Sequence, residues 1–150
     1  MNWIRDAEQI LWHIGDMRQS VENMNKQISI LVARAGPAAL TAVDLEAAIG
    51  SGQQDETINI IYEIKQLTDN RDLTIAFLDK VEEVLTAIDT DENCRYYVPV
   101  LRAWHIDGAP KERIAECIGY SQRRSIYEIH RRAIRKFGIK MFGLGALKNA

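Results

Sequence analysis

The sequence predicts an all-α protein: a long N-terminal amphipathic, coiled-coil-like helix, a central helical region and a C-terminal helix-turn-helix bundle. Three observations predict it. Apolar residues recur at alternating steps of four and three over the first 35 residues. No stretch of residues 1–90 alternates at period two over a useful length, so no sheet is expected there. The last third is punctuated as a short helix, a glycine turn and a longer helix.

Residues 1–35 read as one helix whose stripe is Trp3, Ala7, Ile10, Ile14, Met17, Val21, Met24, Ile28, Leu31 and Ala35. Nine consecutive steps obey the heptad rule and no proline interrupts them. Ala7, Ile14, Val21, Ile28 and Ala35 fall at a; Trp3, Ile10, Met17, Met24 and Leu31 fall at d. β-branched residues at a suit a parallel two-stranded coil. Ile4, Leu11 and Val32 at e widen the stripe, which also suits packing against the next helix of the same chain. Self-association through Trp3, Ala7, Ile10, Ile14, Met17, Val21, Met24, Ile28 and Leu31 is the favoured reading, as a dimer or higher homo-oligomer.

Gly36-Pro37 stops this helix, and residues 36–54 read as a linker with one short helical piece at Ala42–Ile49. Residues 55–90 form the central helical region, with a seam at Ile60, Ile64, Leu67, Leu78, Val81, Leu85 and Ile88. Asp69-Asn70-Arg71-Asp72 reads as a break or kink.

Residues 91–138 form the expected helix-turn-helix domain. A first helix over Asp91–Ile106 buries Tyr97, Leu101 and Trp104. Asp107-Gly108-Ala109-Pro110 is a turn, and Pro110–Ile118 a short helix with Ile114, Ala115 and Ile118 inward. Gly119 supplies a left-handed helix end and Ser121 caps the next helix, Gln122–Phe137. That helix turns Ile126, Ile129, Ala133 and Phe137 inward, and Gly138 ends it. Residues 139–150 read as a loose or weakly docked tail.

Charge separates along the chain. Residues 1–90 hold 7 Lys and Arg against 15 Asp and Glu, a balance of −8; residues 91–150 hold 12 against 6, a balance of +6. A basic segment joined to an acidic one suits a polyanion partner for the basic part. An apolar content of 47% is that of a globular chain, and no apolar run approaches the ~20 residues of a membrane span. The start, Met1-Asn2-Trp3-Ile4-Arg5-Asp6, lacks a basic n-region before an apolar block, and the two cysteines, Cys94 and Cys117, form no CxxC. A bacterial host cytoplasm is the expected location, with no membrane partner.

The requirements of a DNA-reading helix-turn-helix are met residue by residue. Ala115 is small where the second helix crosses, Gly119 tolerates positive φ, and Ser121-Gln122-Arg123-Arg124-Ser125 presents a polar, basic start to the second helix. Arginine and glutamine each make two hydrogen bonds to a base edge, to guanine and adenine respectively. Tyr127 lies on the same stretch, and Arg131, Arg132, Arg135 and Lys136 extend positive charge along it toward phosphates. Lys111 and Arg113, with the first helix's amides, add a phosphate contact.

Leu101-Arg102-Ala103-Trp104-His105-Ile106-Asp107-Gly108, Ile114-Ala115-Glu116-Cys117-Ile118-Gly119-Tyr120-Ser121 and Ile126-Tyr127-Glu128-Ile129-His130-Arg131-Arg132-Ala133-Ile134 resemble region four of sigma factors. The segment is more closely similar to phage late-transcription regulators of the ArpU and RinA type, over about the last fifty residues. Ser121 to Tyr127 is one residue longer than the usual spacing, which leaves open which of Gln122, Arg123, Arg124 and Ser125 reaches bases. The resemblance implies a regulator that activates transcription from phage or prophage promoters, binds duplex DNA as an oligomer and touches host RNA polymerase.

No catalytic constellation stands out, and no enzyme activity, cofactor or metal is expected. His13 reads as solvent-facing, and His105 with Cys117 supplies too few ligands for zinc. Trp12 sits off the seam and marks a second contact surface. Two competing readings remain. One is a phage small terminase subunit, a packaging protein joining a DNA-binding module to an oligomerising region. The other is an interaction module whose basic helix meets an acidic protein.

Overall fold

A computed structural model of the chain describes residues 1–36, 55–119 and 123–149, without the side chains of Asp55, Arg123 and Arg124. Every regular element among them is helical: α1 (Trp3–Ala35), α2 (Asp55–Asp89), a 3₁₀ turn (Glu92–Cys94), α3 (Tyr97–Leu101), a π-helical turn (Arg102–Ile106), α4 (Lys111–Ile118), α5 (Arg123–Phe142) and α6 (Leu144–Asn149). The all-α expectation therefore holds. The linker beyond Gly36, with its helical piece at Ala42–Ile49, lies outside the described residues.

Cα packing sorts the chain into two units. One comprises Met1–Gly15 and Leu78–Ala150; the other comprises Asp16–Phe77.

Local chemistry explains the ends of α1. Asn2 Oδ1 accepts from the Arg5 amide at 3.1 Å, satisfying one of the amides that a helix start leaves open. Gly36, at φ 70°, closes the helix with its amide on the Val32 carbonyl.

In the second unit, α2 passes unbroken through Asp69-Asn70-Arg71-Asp72, where the sequence reads as a break. Asp and Asn cost only about 0.7 kcal/mol each inside a helix. That is small beside the cooperativity of the turns on either side. Local bonds help: Lys65 Nζ pairs with Asp69 at 2.9 Å, and Arg71 reaches Asn25 Oδ1 on α1 at 3.0 Å.

The first unit holds most of the core. Ala7, Leu11 and Ile14 of α1 are buried there, with Val81, Leu85 and Ile88 of α2 and Ala133, Ile134 and Phe137 of α5. This changes the reading of the N-terminal stripe. Ala7 and Ile14 have no exposed surface and Leu31 only 1%, so the chain itself covers these three. Trp3, Ile10, Met17, Val21, Met24 and Ile28 are half-buried.

Asp91–Ile106 is not one helix. Asp91 Oδ1 accepts from the Asn93 amide at 3.0 Å and starts a 3₁₀ turn, and α3 follows. The chain then widens into a π turn, with the Asp107 amide on the Arg102 carbonyl at 3.0 Å. Trp104 and His105, successive residues of this turn, are both buried, at 8% and 5% exposure.

The C-terminus also departs from expectation. α5 runs through Gly138 and stops at Gly143, whose φ is 62°. A Cβ at Gly138 would lie 2.9 Å from Ile4 Cδ1 and 3.4 Å from Ala7 Cβ, so this glycine admits a close approach of α1. Residues 139–149 are not a loose tail. Ala146 of α6 is fully buried, Trp3 and Phe142 pack with ring centroids 5.0 Å apart, and Asn149 Oδ1 accepts from the Trp3 amide at 3.0 Å.

Candidate nucleic-acid interface

Two helices and the turn between them carry the candidate interface. α4 begins after Pro110, whose extended ψ of 146° leads the chain into the helix. It ends at Gly119, with φ 81° and ψ 16°, whose amide reaches the Glu116 carbonyl at 3.2 Å. That is the left-handed closure expected from the sequence. Ile114 and Ala115 of α4 and Ile126 of α5 share a buried cluster with Val100 and Trp104, with Ile118 and Ile129 packed at its edge. The small Ala115 side chain lies within this cluster, as the sequence reading requires.

The predicted contact residues divide into three groups. Ser121 and Gln122 lie outside the described residues. For Arg123 and Arg124 the backbone opens α5, and nothing further is described. Arg131, Arg132 and Arg135 are exposed and line, with Ile4 and Asn149, a cleft of about 420 Å³. Ser125 is half-buried and Tyr127 is 43% exposed, its ring edge-on to Trp104 at 5.2 Å. On α4, Arg113 is exposed, whereas the Lys111 amine sits 4.2 Å from the centroid of the Trp104 ring. A cation over an indole is held there by the ring quadrupole. Lys111 is thus committed to Trp104 in addition to any phosphate.

Electrostatics along the outer face of α5 follow from spacing. Residues 128, 131, 132 and 135 share one side of the helix, so three arginines flank the single acid Glu128. Over its 20 residues α5 extends about 30 Å, so Arg131 lies roughly 12 Å from the helix start.

Behind this face lies a group of residues that the sequence reading did not assemble. His105 Nε2 and His130 Nε2 are 2.8 Å apart. His130 stacks on Trp104 with centroids 3.7 Å apart at 15°, and Trp12 meets His105 edge-on at 4.4 Å. Burial lowers both imidazoles to about 4, helped at His105 by His130 and Lys111 and at His130 by Lys111. Both rings are therefore neutral at pH 7. His105 pairs with His130 rather than with Cys117, which is exposed. A signal for half of this was present. His130 sits four residues after Ile126 and three before Ala133, on the inner face of α5. The π turn that brings His105 inward has no such signal.

Arg102, in the same π turn as His105, makes a two-pronged bond to Glu82 at 2.8 and 3.3 Å. The chain matches no family model, no curated protein and no solved structure.

Proposed function

We propose that this chain is a sequence-specific duplex-DNA-binding transcriptional regulator of phage or prophage late genes. The observation that carries the reading is the α4–Gly119–α5 arrangement. A short helix closed by a left-handed glycine shares a core with a longer helix that bears Arg131, Arg132 and Arg135 on its exposed side. In a helix-turn-helix the second helix enters the major groove by its N-terminal residues. Gln122, Arg123, Arg124 and Ser125 stand at that end of α5 in the sequence. The +6 balance of residues 91–150 supports attraction to phosphate, and the −8 balance of residues 1–90 disfavours the rest of the chain from competing for it. Oligomerisation, contact with RNA polymerase and a bacterial cytoplasmic setting belong to the same proposal.

Selection of binding sites from randomised duplex DNA, with light scattering for mass, tests it. A two-fold symmetric enriched site and a dimeric mass are the expected results. Arg123→Ala or Arg124→Ala should cost about 1–3 kcal/mol at that site if the residue reads a base, and Arg135→Ala should weaken all sequences alike. A ring-sized mass without enrichment would replace this reading with a DNA-packaging subunit. Absence of binding even at low salt would reject DNA binding altogether.

A further inference from the structure

We infer that Glu8, His105 and His130 form a binding site for one first-row divalent transition-metal ion of the Zn²⁺ class. One ring nitrogen from each histidine and one Glu8 carboxylate oxygen lie within 4.8 Å of one another. The three residues come from α1, the π turn and α5 within one packing unit.

The two donors are within reach of one ion, which would replace the bond between the rings; with Nε2 atoms 2.8 Å and centroids 5.0 Å apart the rings meet nearly end to end, so each would turn its nitrogen toward a shared point. With Zn–N bonds of about 2.0–2.1 Å, two imidazole donors stand roughly 2.9–3.4 Å apart for angles between 90° and tetrahedral. His105 Nε2 and His130 Nε2 are already 2.8 Å apart. The rings are flanked by indoles, His130 by its stack on Trp104 and His105 by the edge of Trp12. Glu8 is the adaptable member: it is half-buried, and its side chain has the reach to close onto an ion. It lies one helical turn before Trp12, so the residue that holds His105 and the residue that supplies the carboxylate share one face of α1.

Hydrogen bonding between two neutral imidazoles uses one proton and one lone pair, and an ion at the same two nitrogens would take both lone pairs. His105 Nδ1 is buried with no partner under either arrangement. The neutral state of both rings, set chiefly by burial, is also the state a metal requires.

Donor chemistry narrows the ion. Two imidazoles and one carboxylate suit Zn²⁺, Co²⁺, Ni²⁺ or Fe²⁺, and disfavour Mg²⁺ and Ca²⁺, which prefer all-oxygen sets. Three protein donors leave a fourth position for water. Bound metal would tie α1 to α5 through Glu8 and His130. This inference is independent of the DNA-binding reading and stands or falls separately.

The full-length chain, stripped with chelator, is titrated with Co²⁺ alone and then with Zn²⁺ at pH 7.5. Co²⁺ binding is followed by its visible ligand-field absorption, and Zn²⁺ binding by calorimetry and by its displacement of Co²⁺. One ion per chain is expected, with Mg²⁺ and Ca²⁺ unable to compete. Glu8→Gln and His130→Asn should each weaken binding by at least roughly tenfold. His13→Asn should leave it unchanged. Glu8→Gln guards against misfolding as an explanation, because Glu8 is half-buried and circular dichroism reports whether the helices persist. No saturable Co²⁺ or Zn²⁺ binding by the wild type would overturn the assignment, as would unchanged affinity in a folded Glu8→Gln protein.

Discussion

Gly119 closes α4 at φ 81°, and a Cβ built there would meet nothing within 4 Å. The two facts together isolate one energy term. Gly119→Ala introduces no clash, so its whole cost is the left-handed backbone, about 1–2 kcal/mol for an L-residue. Gly119→Asn occupies the same space with a residue that tolerates this conformation better, so it should recover part of the loss. For a chain of this length, 1 kcal/mol shifts Tm by roughly 2–4 °C, which places the alanine variant about 2–8 °C below wild type. Thermal and urea unfolding followed by helical circular dichroism measure this, and the order expected is Gly, then Asn, then Ala. An alanine variant as stable as wild type, or an asparagine variant no better than alanine, would refute the claim that Gly119 is required for its backbone conformation.

Two further glycines separate steric from conformational effects. At Gly145 a Cβ would fall 2.6 Å from Trp3 Nε1 and 2.9 Å from Trp3 Cδ1. The rigid indole cannot yield cheaply, so Gly145→Ala should destabilise by about 1–3 kcal/mol, outweighing a propensity gain of at most about 1 kcal/mol. At Gly138 the closest atom is the flexible end of Ile4, so Gly138→Ala should be near neutral, its propensity gain offset by a rotamer cost of about 0.5–1.5 kcal/mol. Urea midpoints of the two variants, taken side by side, check the contrast; equal losses would count against it. In protein kept metal-free by chelator, His105 and His130 titrate near 4, against the ordinary 6.5. Because the unfolded chain binds more protons between those values, stability should be complete above pH 6.5 and decline as pH falls toward 4. A urea midpoint that stays flat over that window would contradict the burial of the pair, and His130→Gln should shallow the slope.

How much was legible follows from the range of each interaction. The all-α class, the long first helix, the glycine closure at Gly119 and the inward Ile114, Ala115, Ile126, Ala133 and Phe137 are set by propensity, period and positive φ. Each of these acts within a few residues, so spacing alone reveals it. The heptad stripe was equally visible, but its partner was not. Period 3.5 says that a face is buried and not what buries it, and Ala7 and Ile14 are covered within the chain.

Gly138 shows the same limit from the other side. A glycine after an amphipathic run reads as a stop, yet here it lies inside α5 because Ile4 and Ala7 come close to it. The Asp69–Asp72 run reads as a break, yet the turns around it and the bond from Arg71 to Asn25 carry the helix through. The grouping of Glu8, His105 and His130 joins positions up to 122 residues apart, and depends on a π turn with no sequence signature. Local backbone chemistry thus determined the helical class, the long first helix and where the α4 turn sits. Only tertiary packing decided which faces meet, because contacts between distant residues depend on the fold as a whole rather than on any local pattern.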